Sequence, residues 1–213
     1  MSGNSVHRLN LSYKTLALCA VFAFLSALPL HAHDDWRYEE TRTDSRDFPA
    51  GGFLHVRMGV GELQIRKGDT NKISLRYTVK SRQEKNVKEA HVDFDVKGTD
   101  ANIDFHAPMS HNTEFEVELT VPANTNLDVH EKVGDMTIEQ VEGDKDLQLS
   151  VGDIRVSDEH AGYRLVQASA GIGDVSSGSY GETSGWLGKS LKYHGEGKYA
   201  LRAHVGVGDI TLR

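Results

Sequence analysis

The sequence predicts an all-β protein built on a repeat, either a β-solenoid or a rolled sheet of short strands, with at most one short helix. Three observations predict it. Apolar residues alternate at period two along most of the chain, as in "KISLRYTVK" (Ile73, Leu75, Tyr77, Val79), "HVDFDVKG" (Val92, Phe94, Val96) and "EFEVELTVP" (Phe115, Val117, Leu119, Val121). With Gly, Asn, Asp and Pro at the gaps, that pattern marks half-buried strands joined by tight turns. A Gly-acid dipeptide recurs between such stretches, and helical composition is confined to "SRQEKNVKEA", residues 81–90, where one short helix is expected.

The chain begins with a segment that reads as a leader. Arg8 and Lys14 precede the apolar run "TLALCAVFAFLSAL", followed by "LHA" and the charged "HDDWRYEE". A basic start, a short apolar middle and a small residue before a polar stretch are the parts of a secretory signal, with cleavage expected after Ala32. The run is about 14 residues, short of the ~20 that span a bilayer. Cys19 lies inside it, not at its end, so a lipoprotein signal is not expected. The expected organisation is a signal peptide over 1–32, a polar segment over 33–50 and a β-strand-repeat domain over 51–213, in an exported, periplasmic or secreted product.

Loss of the leader changes the inventory. The only cysteine leaves with it, so disulfides, thiol nucleophiles and thiolate metal sites are not expected. The formal net charge of −7 becomes more negative once Arg8 and Lys14 are removed, which argues against nucleic acid or an anionic lipid surface as partner. No later stretch is apolar enough to predict a transmembrane segment.

The repeat aligns on its Gly-acid step. The copies run Leu54, Val56, Met58, Val60, Gly61-Glu62, Leu63, Ile65; Leu127, Val129, Glu131, Val133, Gly134-Asp135, Met136, Ile138; Leu147, Leu149, Val151, Gly152-Asp153, Ile154, Val156; Val166, Ala168, Ala170, Ile172, Gly173-Asp174, Val175; and Leu201, Ala203, Val205, Val207, Gly208-Asp209, Ile210, Leu212. Parity explains the dipeptide: alternation puts Val151 and Asp153 on one face, yet the next apolar residues are Ile154 and Val156. The strand has slipped by one, which requires a bulge or a corner. Glycine supplies the positive φ such a corner can need, and the acid accepts a hydrogen bond from an N–H that the bend leaves unpaired.

The acids at 135 and 153 are 18 residues apart, those at 153 and 174 are 21 apart, and those at 174 and 209 are 35 apart. A period near 20 residues describes units that stack because none buries its own face. On this spacing a degraded copy is expected around "WLGKSLKYHG", less regular rungs over 66–126, and a terminal rung at the C-terminus, with Tyr199, Leu201, Ala203, Val205 and Val207 inward and an unpaired edge open to self-association.

Stacking would place Glu62, Asp135, Asp153, Asp174 and Asp209 in one column. Backbone N–H groups would satisfy that column. Calcium is the weaker alternative, because a calcium roll needs Gly-Gly-x-Gly-x-Asp, not Gly directly followed by Asp; no metal or cofactor is expected. His33, first after the expected cleavage, could chelate Cu(II) only with a second histidine, for which His55, His130 and His204 are candidates by residue type alone. Two outward columns mix hydrogen-bonding types: Arg57, His130, Gln148, Ser169 and His204, the candidate binding face, and Gln64, Thr137, Arg155, Ser176 and Thr211.

The stretch "ELTVPANTNLDVHEKVGDMTIEQVEGDKDLQLSVGDIRV", with the terminal "GEGKYALRAHVGVGDITLR", resembles the bacterial β-strand-repeat domains called "putative adhesin" or toastrack domains. The resemblance covers most of residues 50–213. It implies an extracytoplasmic protein, since many relatives accompany envelope-stress signalling proteins, and it brings no catalytic residues. A membrane anchor is not expected in this chain, which would set it apart from those relatives. The expected function is a non-enzymatic binding or scaffolding module recognising an envelope protein or glycan. The competing class is a β-helix carbohydrate-active enzyme, a polysaccharide lyase or hydrolase, whose mark would be paired carboxylates on one face.

Overall fold

Each alternating stretch forms a strand, and each Gly-acid step is a corner at which the chain passes from one sheet to a second. A computed structural model describes residues 36–108, 112–158 and 162–213; the expected leader and His33 lie outside the described residues. The strands are β1 (Tyr38–Asp47), β2 (Phe53–Gly68), β3 (Lys72–Ser81), β4 (His91–Lys97), β5 (Asp100–His106), β6 (Thr113–Pro122), β7 (Asn126–Glu139), β8 (Lys145–Ser157), β9 (Tyr163–Ile172), β10 (Val175–Ser176), β11 (Ser190–His194), β12 (Tyr199–Val207) and β13 (Ile210–Leu212). The helix expected over 81–90 is the single turn-and-a-half α1 (Glu84–Glu89). A short 3₁₀ turn spans Gly178–Tyr180.

β2, β7 and β8 run through the corner, so their two halves have different neighbours. The first half of β2 pairs in parallel with β5, and its second half with β6, while β7 lies alongside both. The first sheet therefore runs β4, β5, β2, β7, β8, β12, β9, β11, and the second β1, β3, β6, β2, β7, β8, β13, β10. The central pairings are parallel; β1 with β3, β3 with β6, β4 with β5 and β9 with β11 are antiparallel. Parallel neighbours without crossover helices arise here because each copy of the repeat returns by way of the other sheet.

Both sheets face one core. Leu54, Val56 and Met58 before the corner and Leu63 and Ile65 after it are buried in β2, and Leu147, Leu149, Ile154 and Val156 occupy the same positions in β8. Leu149 and Ile154 are an odd number of residues apart and still both inward, the parity slip that a corner produces. Full burial of each such side chain contributes about 1.5–3 kcal/mol. On the β2 side the core closes with Tyr77, Phe105 and Phe115, and on the β9 side with Tyr163, Tyr180 and Tyr193, each set in edge or tilted contact.

Four expectations are corrected. The stretch "WLGKSLKYHG" is not a degraded parallel copy; its strand, β11, runs antiparallel to β9. Residues 66–126 are not irregular rungs but strands and hairpins with α1. The C-terminal copy is not the terminal rung: β12 pairs in parallel with β8 on one side and β9 on the other, and so has no free edge for self-association. Val207 is not inward. It is 45% exposed, as are Val60, Val133, Val151 and Ile172 to a similar degree, because the bend lifts the residue before each Gly out of the core.

Candidate functional site

The five side chains of the first outward column come together as one row across five parallel strands. Arg57 lies opposite His130, His130 opposite Gln148, Gln148 opposite His204, and His204 opposite Ser169. Each sits between two inward residues of its strand, so alternation turns it to the outer surface of the first sheet. At a strand spacing of ~4.8 Å the row is roughly 19 Å long. A second row lies beside it: His55, Asp128, Asp146, Arg202, Gln167 and Lys192.

Hydrogen bonds tie the rows together. Asp128 accepts from His55 Nδ1 at 2.8 Å and His130 Nε2 at 2.9 Å, with Arg57 Nη2 at 3.6 Å. Partial burial works against its charge, but these partners hold its carboxyl below the usual range. Gln148 donates to Asp146 at 3.2 Å, and Ser169 Oγ meets His204 Nδ1 at 3.0 Å. Two concavities open on this surface, of about 710 Å³ and about 480 Å³, and share Gln148 and His204. The larger is walled by Glu182 and Ser184 from the connection that also carries Trp186, 94% exposed.

The corner glycines and acids form a second set. Register orders the acids Glu62, Asp135, Asp153, Asp209, Asp174. Three of the five carboxylates accept from the backbone N–H of the next acid: Asp135 from Asp153 at 3.3 Å, Asp153 from Asp209 at 2.9 Å, and Asp209 from Asp174 at 2.8 Å. Arg155 adds a guanidinium bridge to Asp135 at 3.0 Å and Asp153 at 2.9 Å. Gly61, Gly134, Gly152, Gly208 and Gly173 stack beneath. At Gly152, with φ +129°, an added Cβ would lie 1.7 Å from the carbonyl oxygen of Gly134, so the backbones approach too closely for any side chain. The second outward column, Gln64, Thr137, Arg155, Thr211 and Ser176, is also continuous.

Two buried ionisable groups were not singled out by sequence reasoning, although each interrupts inward alternation. Glu131 takes the inward position held by Met58 in β2 and Leu149 in β8. Neither of its carboxyl oxygens has a hydrogen-bond partner among the described residues. Burial, and then the charges of Asp135 and Glu62, push its carboxyl up to about 8. Lys145 takes the position of Leu127 and Leu201. Its ammonium lies 2.9 Å from Asp158 and donates to the Tyr163 hydroxyl at 2.8 Å, and the Tyr163 hydroxyl in turn donates to Asp158. Burial pulls the Lys145 amine down and pushes the Tyr163 phenol up.

A family model described as Toastrack DUF4097 matches residues 54–182. No curated protein matches the chain. Among solved structures, it is similar to a "putative cell adhesion protein" from Clostridium sporogenes, with 14% identity, a TM-score of 0.45 and coverage of 81% of this chain and 99% of that one. A "putative adhesin" from Bacteroides fragilis gives 9% identity and a TM-score of 0.36, covering 82% of this chain and 97% of that one. A "putative lipid binding protein" from Parabacteroides distasonis gives 12% and 0.34, covering 82% and 74%.

Proposed function

The chain belongs to the Toastrack DUF4097 family, and from its outer face we propose that it is an exported, non-catalytic binding module of the cell envelope that takes an extended glycan along the row from Arg57 to Ser169. The observation that carries this is the alignment of Arg57, His130, Gln148, His204 and Ser169 in one register, over concavities joined at Gln148 and His204. Donors and acceptors repeating at strand spacing match a ligand that itself repeats at about the length of one sugar ring. The guanidinium of Arg202 and the amides of Gln148 and Gln167 suit hydroxyl recognition, and the exposed Trp186 offers a ring face for stacking. Export is supported by the leader pattern of residues 1–32. Among the described residues, no helix is long and apolar enough to cross a membrane.

Binding is favoured over turnover by where the carboxyls stand. Asp128 and Asp146 are adjacent on the outer face, but Asp128 is held ionised. Glu131, whose carboxyl is raised, is buried at an inward position of β7 and does not face Asp128 or Asp146 across the outer surface. An acid and a base facing one bond are what a glycosidase requires.

The test is calorimetric titration with soluble fragments of envelope polysaccharides, followed by chromatography of the sugar. Binding should weaken by about tenfold or more in Gln148→Ala and in Arg202→Ala, or about 1.4 kcal/mol each. Affinity in both variants unchanged from that of the unaltered protein would refute this outer face as the site. Shortened sugar chains after incubation would establish the enzyme instead.

A further inference from the structure

The β4–β5 hairpin carries a cluster that neither the row nor the corner column uses. His91 lies directly opposite His106 in the antiparallel ladder, and Asp93 lies opposite Asp104. Residues opposite one another, and residues two apart on a strand, project to the same face. His91, Asp93 and His106 therefore converge above one patch of the hairpin. The imidazole rings stack with centroids 4.9 Å apart and planes inclined by 19°. His106 Nε2 is 3.2 Å from Asp93 Oδ2, and a ligand atom of each of the three residues lies within 4.8 Å of those of the other two.

A second observation bears on the chemistry. His91 Nδ1 is 3.0 Å from the carbonyl oxygen of Glu89. A carbonyl only accepts, so Nδ1 carries the hydrogen and the neutral ring keeps its lone pair at Nε2. That outer hydrogen bond, fixing tautomer and ring orientation, is the one that metal-bound imidazoles nearly always make. The facing carboxylates of Asp93 and Asp104 are like charges opposite one another in a ladder, an unfavourable pair that a cation relieves.

We propose that His91, Asp93 and His106 bind a divalent transition-metal ion, with Zn²⁺ the best-matched ion. Two imidazoles and one carboxylate are borderline donors, suited to Zn²⁺ and its neighbours, whereas Ca²⁺ and Mg²⁺ take oxygen ligands almost exclusively. Three protein ligands leave at least one position open, so the bound ion presents a site for water or for a donor group of a partner. The site does not rest on glycan binding: register carries the row past Arg57 to Asp104 and Asp93, but the cluster is argued from its own geometry on β4 and β5.

The test uses the purified, untagged protein titrated with ZnCl₂ by calorimetry. One equivalent should bind with micromolar affinity, and affinity should fall at least tenfold in His91→Ala, in His106→Ala and in Asp93→Asn. His194→Ala, on β11, should leave it unchanged. Circular dichroism checks that the variants keep their strand content. Co²⁺ added to the unaltered protein should give visible d–d absorption that Zn²⁺ displaces, a readout that needs no variant to fold. Absence of both Zn²⁺ uptake and the Co²⁺ spectrum at about 100 µM metal, a binding energy of roughly 5.5 kcal/mol, would overturn the proposal. So would uptake that survives loss of both histidines.

Discussion

Lys145 Nζ stands 2.9 Å from Asp158 Oδ2, with 0% and 3% of the two side chains exposed. The positions beside Lys145 in the neighbouring strands hold Leu127 and Leu201, so an apolar layer has been opened for an ion pair. Desolvating two charges costs about as much as their attraction returns, but breaking such a pair strands the survivor.

Asp158→Ala should therefore lower unfolding free energy by about 3–5 kcal/mol, and Lys145→Leu by a comparable amount. The double variant Lys145→Leu, Asp158→Ala should lose much less than the sum. Denaturant unfolding of all three measures the coupling, and additive losses would show that the two groups do not depend on each other.

Gly152→Ala should cost at least about 2 kcal/mol, since the backbone conformation is strained for any side chain and the neighbouring carbonyl leaves no room. Ser150→Ala, two residues earlier and exposed, should change stability by less than about 0.5 kcal/mol. Thermal melts of the two variants compare them directly; matching midpoints would contradict the close stacking of the corners.

Glu131 makes stability depend on pH. Its carboxyl titrates at about 8 in the folded chain, against an ordinary value of 4.5. Below 4.5 both states hold the proton and the contribution is fully present. Between 4.5 and 8 only the folded chain keeps it, so stability falls as pH rises, by up to about 1.4 kcal/mol per unit, and the loss is complete above the folded value. Glu131→Met, which copies Met58 of β2, should be more stable than the unaltered protein at pH 8 and have much less advantage at pH 5. A difference that stays constant between those two pH values would rule out Glu131 as the titrating group.

Calcium should leave the protein's melting point unmoved. The corner carboxylates of Asp135, Asp153 and Asp209 already accept backbone hydrogen bonds, and Arg155 supplies positive charge. Melts in chelator and in millimolar CaCl₂ should agree within about 1 °C, because an ion that binds only the folded state would raise the midpoint with its concentration.

The repeat was legible because its physics is local. Alternation and a parity slip are properties of consecutive residues, so the two-faced strands and the row from Arg57 to Ser169 could be read from the one-dimensional pattern. What could not be read depends on pairing between distant segments. Spacing orders the copies along the chain, yet β12 enters the sheet between β8 and β9, and no local signal records that choice. Val207 misled for a related reason: an aliphatic residue in phase with its neighbours looks buried unless the exact onset of the bend is known. Glu131 and Lys145 were visible as interruptions, but their burial follows from the strands on either side. The pair His91 and His106 meets only through the hairpin register, which the intervening residues do not announce.

The position of β12 also orders events in time. Residues 163–194 leave the ribosome, or a translocation pore, before residues 199–207, yet in the finished sheet β9 and β11 lie beyond β12. A chain emerging from its N-terminus can close the wall of β2, β7 and β8 early. β9 must then wait without its parallel neighbour until the later strand arrives to slot between it and β8. During that interval Tyr163, Val166 and Ala168 have no β12 to pair beside, and the edge of β8 stays open to other chains. A pause in synthesis within 163–198 would lengthen that exposure, which makes this stretch the one where a holding chaperone has most to protect.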